Sequence, residues 1–219
     1  MNAHGGTLRP MLLGSDSASA RVALVSEGAL LLAGDHVAID IDVGEATRLE
    51  ILELSGTVAY DMRGEAARWD VRIILQRGAT LIWHCAPFVV SEGADVQRTT
   101  TVEIAETARL LLREQLVLGR SGERPGLVRS ALRIRDHHRS LLAEDLDLGP
   151  HSTTGGLLGA NRVIESVIAI GTGPVDMDVE ARMVLEHNGT IWRRLSPAGH
   201  TASLSEVWRH VLGQVSNCS

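Results

Sequence analysis

The chain has 219 residues, of which 44% are hydrophobic and only 3% aromatic, and its formal net charge is −6. This length and apolar content suit one domain with a substantial core, and the negative charge argues against a nucleic-acid binder, which ordinarily carries a basic face. All 21 basic residues are arginine, so the chain has no lysine for a Walker A phosphate loop or for a Schiff-base enzyme.

The strongest pattern along the chain is a repeated strand–turn–strand unit. Apolar and polar residues alternate on both sides of a short turn in residues 37–54, again in 71–84 and again in 101–113. Alternation of this kind predicts half-buried antiparallel strands joined as a hairpin. When the turns are aligned on Ala46, Ala79 and Ala108, the units are 33 and 29 residues apart. A fainter copy covers residues 132–146.

A single hairpin cannot bury its apolar face, whereas stacked copies can bury a continuous core. We therefore predict a mainly β fold of stacked β-hairpins in a single domain, 1–219, with residues 1–20 as a candidate flexible segment. The spacing leaves two arrangements open, one β-solenoid-like and one sandwich-like.

The last third of the chain also predicts strands, followed by a helix. Residues 163–170 are almost all apolar, residues 179–185 alternate, and Asn188-Gly189 is a favoured hairpin turn. Near the C-terminus, apolar residues recur at helical spacing, and Ser203 with Glu206 forms a candidate capping box. This pattern predicts an α-helix at about 203–215, which we expect to close the sheet. A partner-binding helix is the alternative.

The sequence contains none of the common catalytic signatures. It lacks His-Glu-x-x-His, the Gly-x-Ser-x-Gly elbow and a Gly-x-Gly-x-x-Gly stretch that opens a helix. His84 and Cys85 are neighbours on a strand and should point to opposite faces, so they cannot share one metal ion. His137-His138 lies in a turn, where either histidine could bind a metal, but its spacing specifies no site and solvated or packed histidines are the favoured interpretation. We therefore expect no enzyme and no tightly bound cofactor.

Targeting signals are also missing from the sequence. Cys85 and Cys218 are too far apart to indicate a disulfide framework, which favours a reducing cytoplasm. The first residues lack the basic and apolar regions of a signal peptide, and no apolar run reaches the roughly 18 residues of a membrane helix. We expect a cytoplasmic protein that does not bind a membrane.

Two carboxylates stand out by their position in apolar segments. Asp35 follows Gly34 at the end of an apolar run, which is typical of a turn. Glu114 lies in a strand on the same side as Leu112 and Leu116, where a carboxylate is costly unless it is paired or solvated. Pairing with Arg113 or another arginine would explain Glu114 structurally. An internal passage in which carboxylates handle cations is the functional alternative.

Taken together, several segments resemble a known family, that of the urease accessory protein UreD (also called UreH). The resemblance extends from about Leu30 to Val215, and in it Ala33 replaces a frequent glycine and Pro87 alone remains of a proline-rich stretch. Its members of compact, actinobacterial type are the most similar. The segments that carry the resemblance are residues 30–37 with Gly34 and Asp35, residues 57–60, residues 83–90 with Pro87, residues 113–123 with Gly119, Arg120, Gly122 and Glu123, and the final helix.

The resemblance implies a protein that helps install nickel in urease without catalysing a reaction. It implies apo-urease and two further accessory proteins as partners, a UreF-type protein and a UreG-type GTPase. It also implies that nickel passes in transit through an internal tunnel, which makes Asp35 and Glu114 the candidate nickel contacts. Two alternatives stay open, a β-solenoid enzyme and a plain adaptor without a metal role. The scarcity of aromatic residues argues against a sugar-binding enzyme.

Overall fold

The structure is a computed structural model that describes residues 2–4, 8–150, 157–173, 182–198 and 203–217. Within these ranges the chain forms sixteen β-strands and one α-helix. The strands are β1 (Asn2–His4), β2 (Leu8–Ser15), β3 (Ser19–Ser26), β4 (His36–Val43), β5 (Arg48–Glu53), β6 (Thr57–Ala59), β7 (Ala67–Leu75), β8 (Thr80–His84), β9 (Phe88–Val90), β10 (Asp95–Ile104), β11 (Arg109–Leu118), β12 (Leu127–Arg135), β13 (Ser140–Leu148), β14 (Val163–Ile170), β15 (Arg182–Leu185) and β16 (Gly189–Ser196), and the helix is α1 (Ser205–Asn217).

The strands form two sheets that face each other. Sheet A has the order β1-β4-β7-β10-β12-β13, and sheet B has the order β15-β16-β14-β11-β8-β5-β3-β2, with the short strands β6 and β9 paired beside β11. The chain passes repeatedly from sheet A to sheet B, and each passage adds one level to the stack. This confirms the predicted mainly β, stacked fold, and of the two arrangements left open the structure has the solenoid-like one.

The local pairing differs from that of ordinary hairpins. The two arms of each of the first three repeated units lie in different sheets, so β4 pairs in parallel with β7 and β5 pairs in parallel with β8. The same relationship joins β7 to β10 and β8 to β11. Each unit is therefore an arch between the sheets. Alternation gives the same sequence pattern for an arch as for a hairpin, because both have one buried and one exposed face.

The register corrects the predicted alignment of the turns by one residue. Arg48 pairs with Thr80 and Thr80 with Arg109, so the equivalent turn residues are Ala46, Gly78 and Thr107. All three have left-handed backbone conformations, with φ of 53°, 68° and 60°. Alignment on the alanines was wrong because conformation, and not residue type, is repeated at this position.

Antiparallel strands flank the parallel part of both sheets. At one side β1 pairs antiparallel with β4, and β2 with β3. At the other side β13 pairs antiparallel with β12, and β14 with β11. The fourth predicted copy, β12–β13, is thus a true hairpin within sheet A and does not form another arch.

Two apolar clusters hold the molecule together. The larger one fills the space between the sheets, and its members include Ile41, Ile73 and Leu112. The second lies between the outer face of sheet B and α1, and it includes Trp192, Val207 and Val211. The predicted helix is confirmed, but it covers a face of sheet B and starts and ends two residues later than expected. Residues 179–181 of the alternating segment and Cys218 lie outside the described residues.

Candidate functional site

A row of polar side chains crosses the inner face of sheet B. Glu53, Cys85 and Glu114 stand at equivalent places, seven residues after the left-handed turn positions of their arches. The Cys85 backbone N–H donates to the Arg113 carbonyl over 3.0 Å, which continues the β8–β11 pairing. On the other side Glu114 pairs in register with Ser166, and Ser166 pairs with Arg193. We call these five residues the polar row.

Arg98 reaches the polar row from sheet A. It lies on β10 in register with Trp69 of β7, and its Nη2 donates to Glu114 Oε1 over 2.9 Å. The two side chains are only 12% and 24% exposed, so the ion pair is mostly withdrawn from solvent. The guanidinium carbon also lies 4.6 Å from the centroid of the Phe88 ring, a cation–π distance. An arginine other than Arg113 thus pairs with Glu114.

Glu53 accepts two hydrogen bonds beside this ion pair. Trp83 Nε1 donates to Glu53 Oε1 and the Ala86 N–H donates to Glu53 Oε2, each over 3.1 Å. Burial raises the pKa of Glu53 to about 7, although both hydrogen bonds favour the ionised carboxylate. The side chain therefore titrates near neutral pH.

Cys85 lies between the two carboxylates in the polar row. Burial raises the pKa of its thiol well above the ordinary value, and the neighbouring charges of Glu53 and Glu114 raise it further. The side chain is consequently a neutral thiol at physiological pH and a weak ligand in this state, because the thiolate is the form that binds metals.

These side chains line a small cavity between the sheets. Its lining includes Glu53, Cys85, Arg98, Thr100 and Glu114. The free volume is about 20 Å³, which is enough for roughly one water molecule. Arg98 Nε has no hydrogen-bond partner in the described part of the chain. The cavity therefore offers a water both an unused donor and carboxylate acceptors.

A second ion pair joins the sheets at the far end of the polar row. Arg193 Nη2 donates to Glu144 Oε1 on sheet A over 3.0 Å, and Arg193 Nη1 contacts the other carboxylate oxygen. Arg193 Nε also donates to Ser166 Oγ over 3.0 Å. Arginine–carboxylate pairs thus connect the two sheets at two separate points along the row.

Asp35, the other predicted nickel contact, has a different environment. Its Oδ2 accepts a hydrogen bond from the Leu32 N–H over 2.7 Å, and its own N–H donates to the Leu32 carbonyl over 3.1 Å. Gly34 before it has a positive φ of 75°. The turn expected for Gly34-Asp35 is therefore present. Asp35 does not contribute to the cavity that contains Glu114.

The remaining motif residues form surface loops. Arg120 Nη2 lies 2.6 Å from Glu123 Oε1 within one turn, and this contact lowers the pKa of Glu123. The Gly119 N–H donates to the Val90 carbonyl over 2.7 Å, which ties the loop to β9. Pro87 is exposed and accepts a hydrogen bond from the Thr57 N–H over 3.0 Å. These contacts stabilise the loops and leave part of their surface open.

The histidine neighbouring Cys85 faces the opposite side of sheet B, as alternation predicts. The His84 ring stacks on Trp208 of α1 with centroids 5.2 Å apart, and burial together with the Arg113 charge lowers its pKa. Among the described residues, no group of three or more histidine, cysteine or acidic side chains is arranged to hold a metal ion.

Sequence reasoning found Glu114 and missed Glu53, Cys85 and Arg98. A usable signal existed, because Glu53, Cys85 and Glu114 share the 32- and 29-residue spacing of the turns. Aligning the turns on their alanines offsets Glu53 from Cys85 and Glu114 by one residue, so this repeat was not recognised. Arg98 could have been recognised by alternation with Val96 and Val102, both buried on the same strand.

The stacked sheets and the polar row between them define a β-solenoid-like protein with a charged interior. Residues 5–214 match the family described as UreD urease accessory protein. The chain is 44% identical over 208 residues to urease accessory protein UreD 1 of Streptomyces griseus, covering 92% of this chain and 81% of that protein. It is 33% identical over 210 residues to urease accessory protein UreD of Streptomyces coelicolor, covering 89% of this chain and 82% of that protein. The chain belongs to the UreD family of urease accessory proteins. No helix in its described part has the length and apolar character needed to cross a membrane.

Proposed function

We propose that this protein is a non-catalytic, cytoplasmic scaffold that bridges apo-urease to UreF-type and UreG-type accessory proteins and helps deliver nickel to the urease active site. Membership of the UreD family supports the accessory role, since the related proteins carry that name over most of their length. No cofactor needs to be tightly bound for this role, because nickel is only cargo in transit.

The observation that best supports nickel handling is the polar row between the sheets. Carboxylates at Glu53 and Glu114 are oxygen ligands that hold nickel more weakly than imidazole or thiolate would. Weak ligands suit a cation that must leave again. Asp35 remains a further proposed contact, located outside the cavity.

The surface loops are the proposed contacts with partner proteins. Gly34, Pro87, Arg120 and Gly122 are exposed and Glu123 is half-buried, whereas Gly119 is buried and contributes by holding the loop against β9. Arg120 is 54% exposed despite its ion pair with Glu123, so it remains accessible to a partner.

Co-expression with urease and its other accessory genes tests the proposal. Deleting this chain should abolish nickel-dependent urease activity, and adding it back should restore the activity. Full activity without the chain would refute the accessory role. A variant with both Glu53 and Glu114 replaced by glutamine tests the nickel path. If this variant also restores the activity, the protein is a plain adaptor and the proposed nickel path is wrong.

A further inference from the structure

The cavity contains its own cation, in the form of the Arg98 guanidinium. We infer that Arg98 is a removable plug, whose guanidinium occupies the place of a metal ion and must leave Glu114 before a divalent cation can be held in the cavity. This inference deepens the proposed function, because it concerns the same polar row. It rests on the charges, contacts and volume of the cavity.

The charges explain why a resident cation is needed. Two carboxylates, Glu53 and Glu114, line the cavity, and burial of such groups is costly unless an opposite charge is near. Arg98 supplies that charge, since it donates to Glu114 and also favours the ionised form of Glu53. A divalent cation in the same place would supply two positive charges where the guanidinium supplies one.

The contacts of Arg98 are incomplete for a mostly buried arginine. One nitrogen bonds Glu114, the plane lies near Phe88, and Nε has no partner in the described part of the molecule. Arg113 on the other face of sheet B provides the contrast. Its Nε and Nη2 donate to Glu165, its Nη1 contacts His84, and its Nη2 also donates to Ser205. Moving Arg98 therefore breaks fewer interactions than moving Arg113 would.

The volume of the closed cavity leaves no room for a hydrated metal ion, and in their present positions its acidic and cysteine side chains are not arranged to hold one. With Arg98 in place, about 20 Å³ is free, room for roughly one water and not for a hydrated ion. Withdrawal of the guanidinium would leave two carboxylates around the vacated space, together with the Cys85 thiol, which would have to release its proton to bind a metal. Oxygen donors with one sulfur suit a borderline cation such as Ni²⁺ or Zn²⁺, whereas Mg²⁺ prefers oxygen and water alone.

Titration of the purified full-length protein with NiCl2, followed by calorimetry, tests the inference. Arg98→Met replaces the guanidinium with a shorter, neutral and flexible chain that can move aside from Glu114. We expect this variant to bind Ni²⁺ at least roughly tenfold more tightly than the unchanged protein and to show no gain for Mg²⁺. The double variant Arg98→Met/Glu114→Gln should lose the gain.

Arg193→Met is the matched control, because it removes an arginine from the other ion pair between the sheets. Arg193 and Glu144 are 21% and 22% exposed, close to the values for Arg98 and Glu114. The control has one carboxylate partner and should gain no nickel affinity. An equal gain in the control, or none in Arg98→Met, would overturn the inference.

Folding is checked by circular dichroism, with Arg98→Gln as a second, smaller replacement. If neither variant folds, the guanidinium is not removable and the inference is wrong. The outcome is independent of the accessory role. Loss of urease activity on deletion of the chain, combined with unchanged nickel affinity in Arg98→Met, would reject the plug and retain the proposed function.

Discussion

Arg113 donates to Glu165 through two nitrogens, Nε over 3.0 Å and Nη2 over 2.6 Å, and the Glu165 side chain is fully buried. The second Glu165 oxygen accepts the Leu204 N–H over 3.0 Å, at the start of α1. One carboxylate therefore joins three elements: β11, β14 and the segment that begins the helix. This pair lies on the outer face of sheet B, opposite the polar row.

Replacing Glu165 with glutamine should destabilise the protein strongly. The substitution leaves the Arg113 side chain, which is only 17% exposed, without its counter-charge, and breaking a buried pair from one side costs about 3–5 kcal/mol. The free energy of unfolding is measured by urea denaturation. Glu186→Gln is the control, because Glu186 is 88% exposed and its change should stay within about 0.5 kcal/mol. A cost below about 1 kcal/mol for Glu165→Gln would show that the pair does not anchor the helix.

Glu53 should make the stability of the protein depend on pH. Its folded-state pKa of about 7 is above the ordinary value of 4.5, so the folded state binds the proton more tightly than the unfolded state does. Below pH 4.5 both states are protonated. As pH rises towards 7 the unfolded chain ionises first, so stability falls by up to roughly 3 kcal/mol and is then constant.

The Glu53→Gln variant removes this pH-dependent contribution. The free energy of unfolding of the variant minus that of the unchanged protein should be higher at pH 8 than at pH 5 by roughly 2–3 kcal/mol, because only the unchanged protein loses stability over this range. Glu50→Gln is the control, because it makes the same change on the same strand but on the other side of sheet B, away from the cavity. The idea fails if the two variants respond to pH in the same way.

Glu114→Gln should lower urease activation in the co-expression assay. The substitution keeps the shape of the side chain and removes the charge that would contact nickel. A loss of roughly tenfold corresponds to about 1.4 kcal/mol of weaker cation binding. Asp35→Asn keeps an oxygen acceptor for the Leu32 N–H, and we expect a smaller decrease because Asp35 lies outside the cavity. If urease activity is unchanged in both variants at normal protein levels, Glu114 and Asp35 are not nickel contacts.

Gly119→Ala should cost more stability than Gly122→Ala. Both glycines have left-handed φ, 79° and 80°, so each substitution carries a backbone penalty of about 1 kcal/mol. A Cβ at Gly119 would also meet the Arg124 carbonyl at 2.8 Å and the Arg162 side chain, whereas one at Gly122 would meet nothing within 4 Å. Thermal unfolding should therefore show a lower Tm for Gly119→Ala. Equal Tm values would mean that the loop adjusts freely.

Much of the fold could be predicted from the sequence because alternation marks the buried face of each strand. Alternation also placed Glu114 correctly beside Leu112 and Leu116. It could not say which strands pair, because an arch and a hairpin bury the same residues. Strand pairing decides which side chains are neighbours across a sheet. That Glu53, Cys85 and Glu114 lie side by side therefore becomes visible only when the strand register is known. Alternation can show that Arg98 faces inward. It cannot identify Arg98 as the partner of Glu114, because the two residues lie on facing sheets.

The direction of the terminal strands limits how this architecture can grow. In both sheets the outermost described strands run antiparallel to their neighbours, β1 and β13 in sheet A and β2 and β15 in sheet B, whereas the arches pair in parallel. Pro10 on β2 cannot donate a backbone hydrogen bond, and Asp145 and Asp147 are exposed on β13. Proline and charge on outer strands disfavour edge-to-edge association. An arch inserted between two existing arches can pair in parallel on both sides, whereas an arch added at either end would meet an antiparallel strand. The middle of the stack is therefore where a whole arch can be gained or lost without changing the pattern of strand pairing.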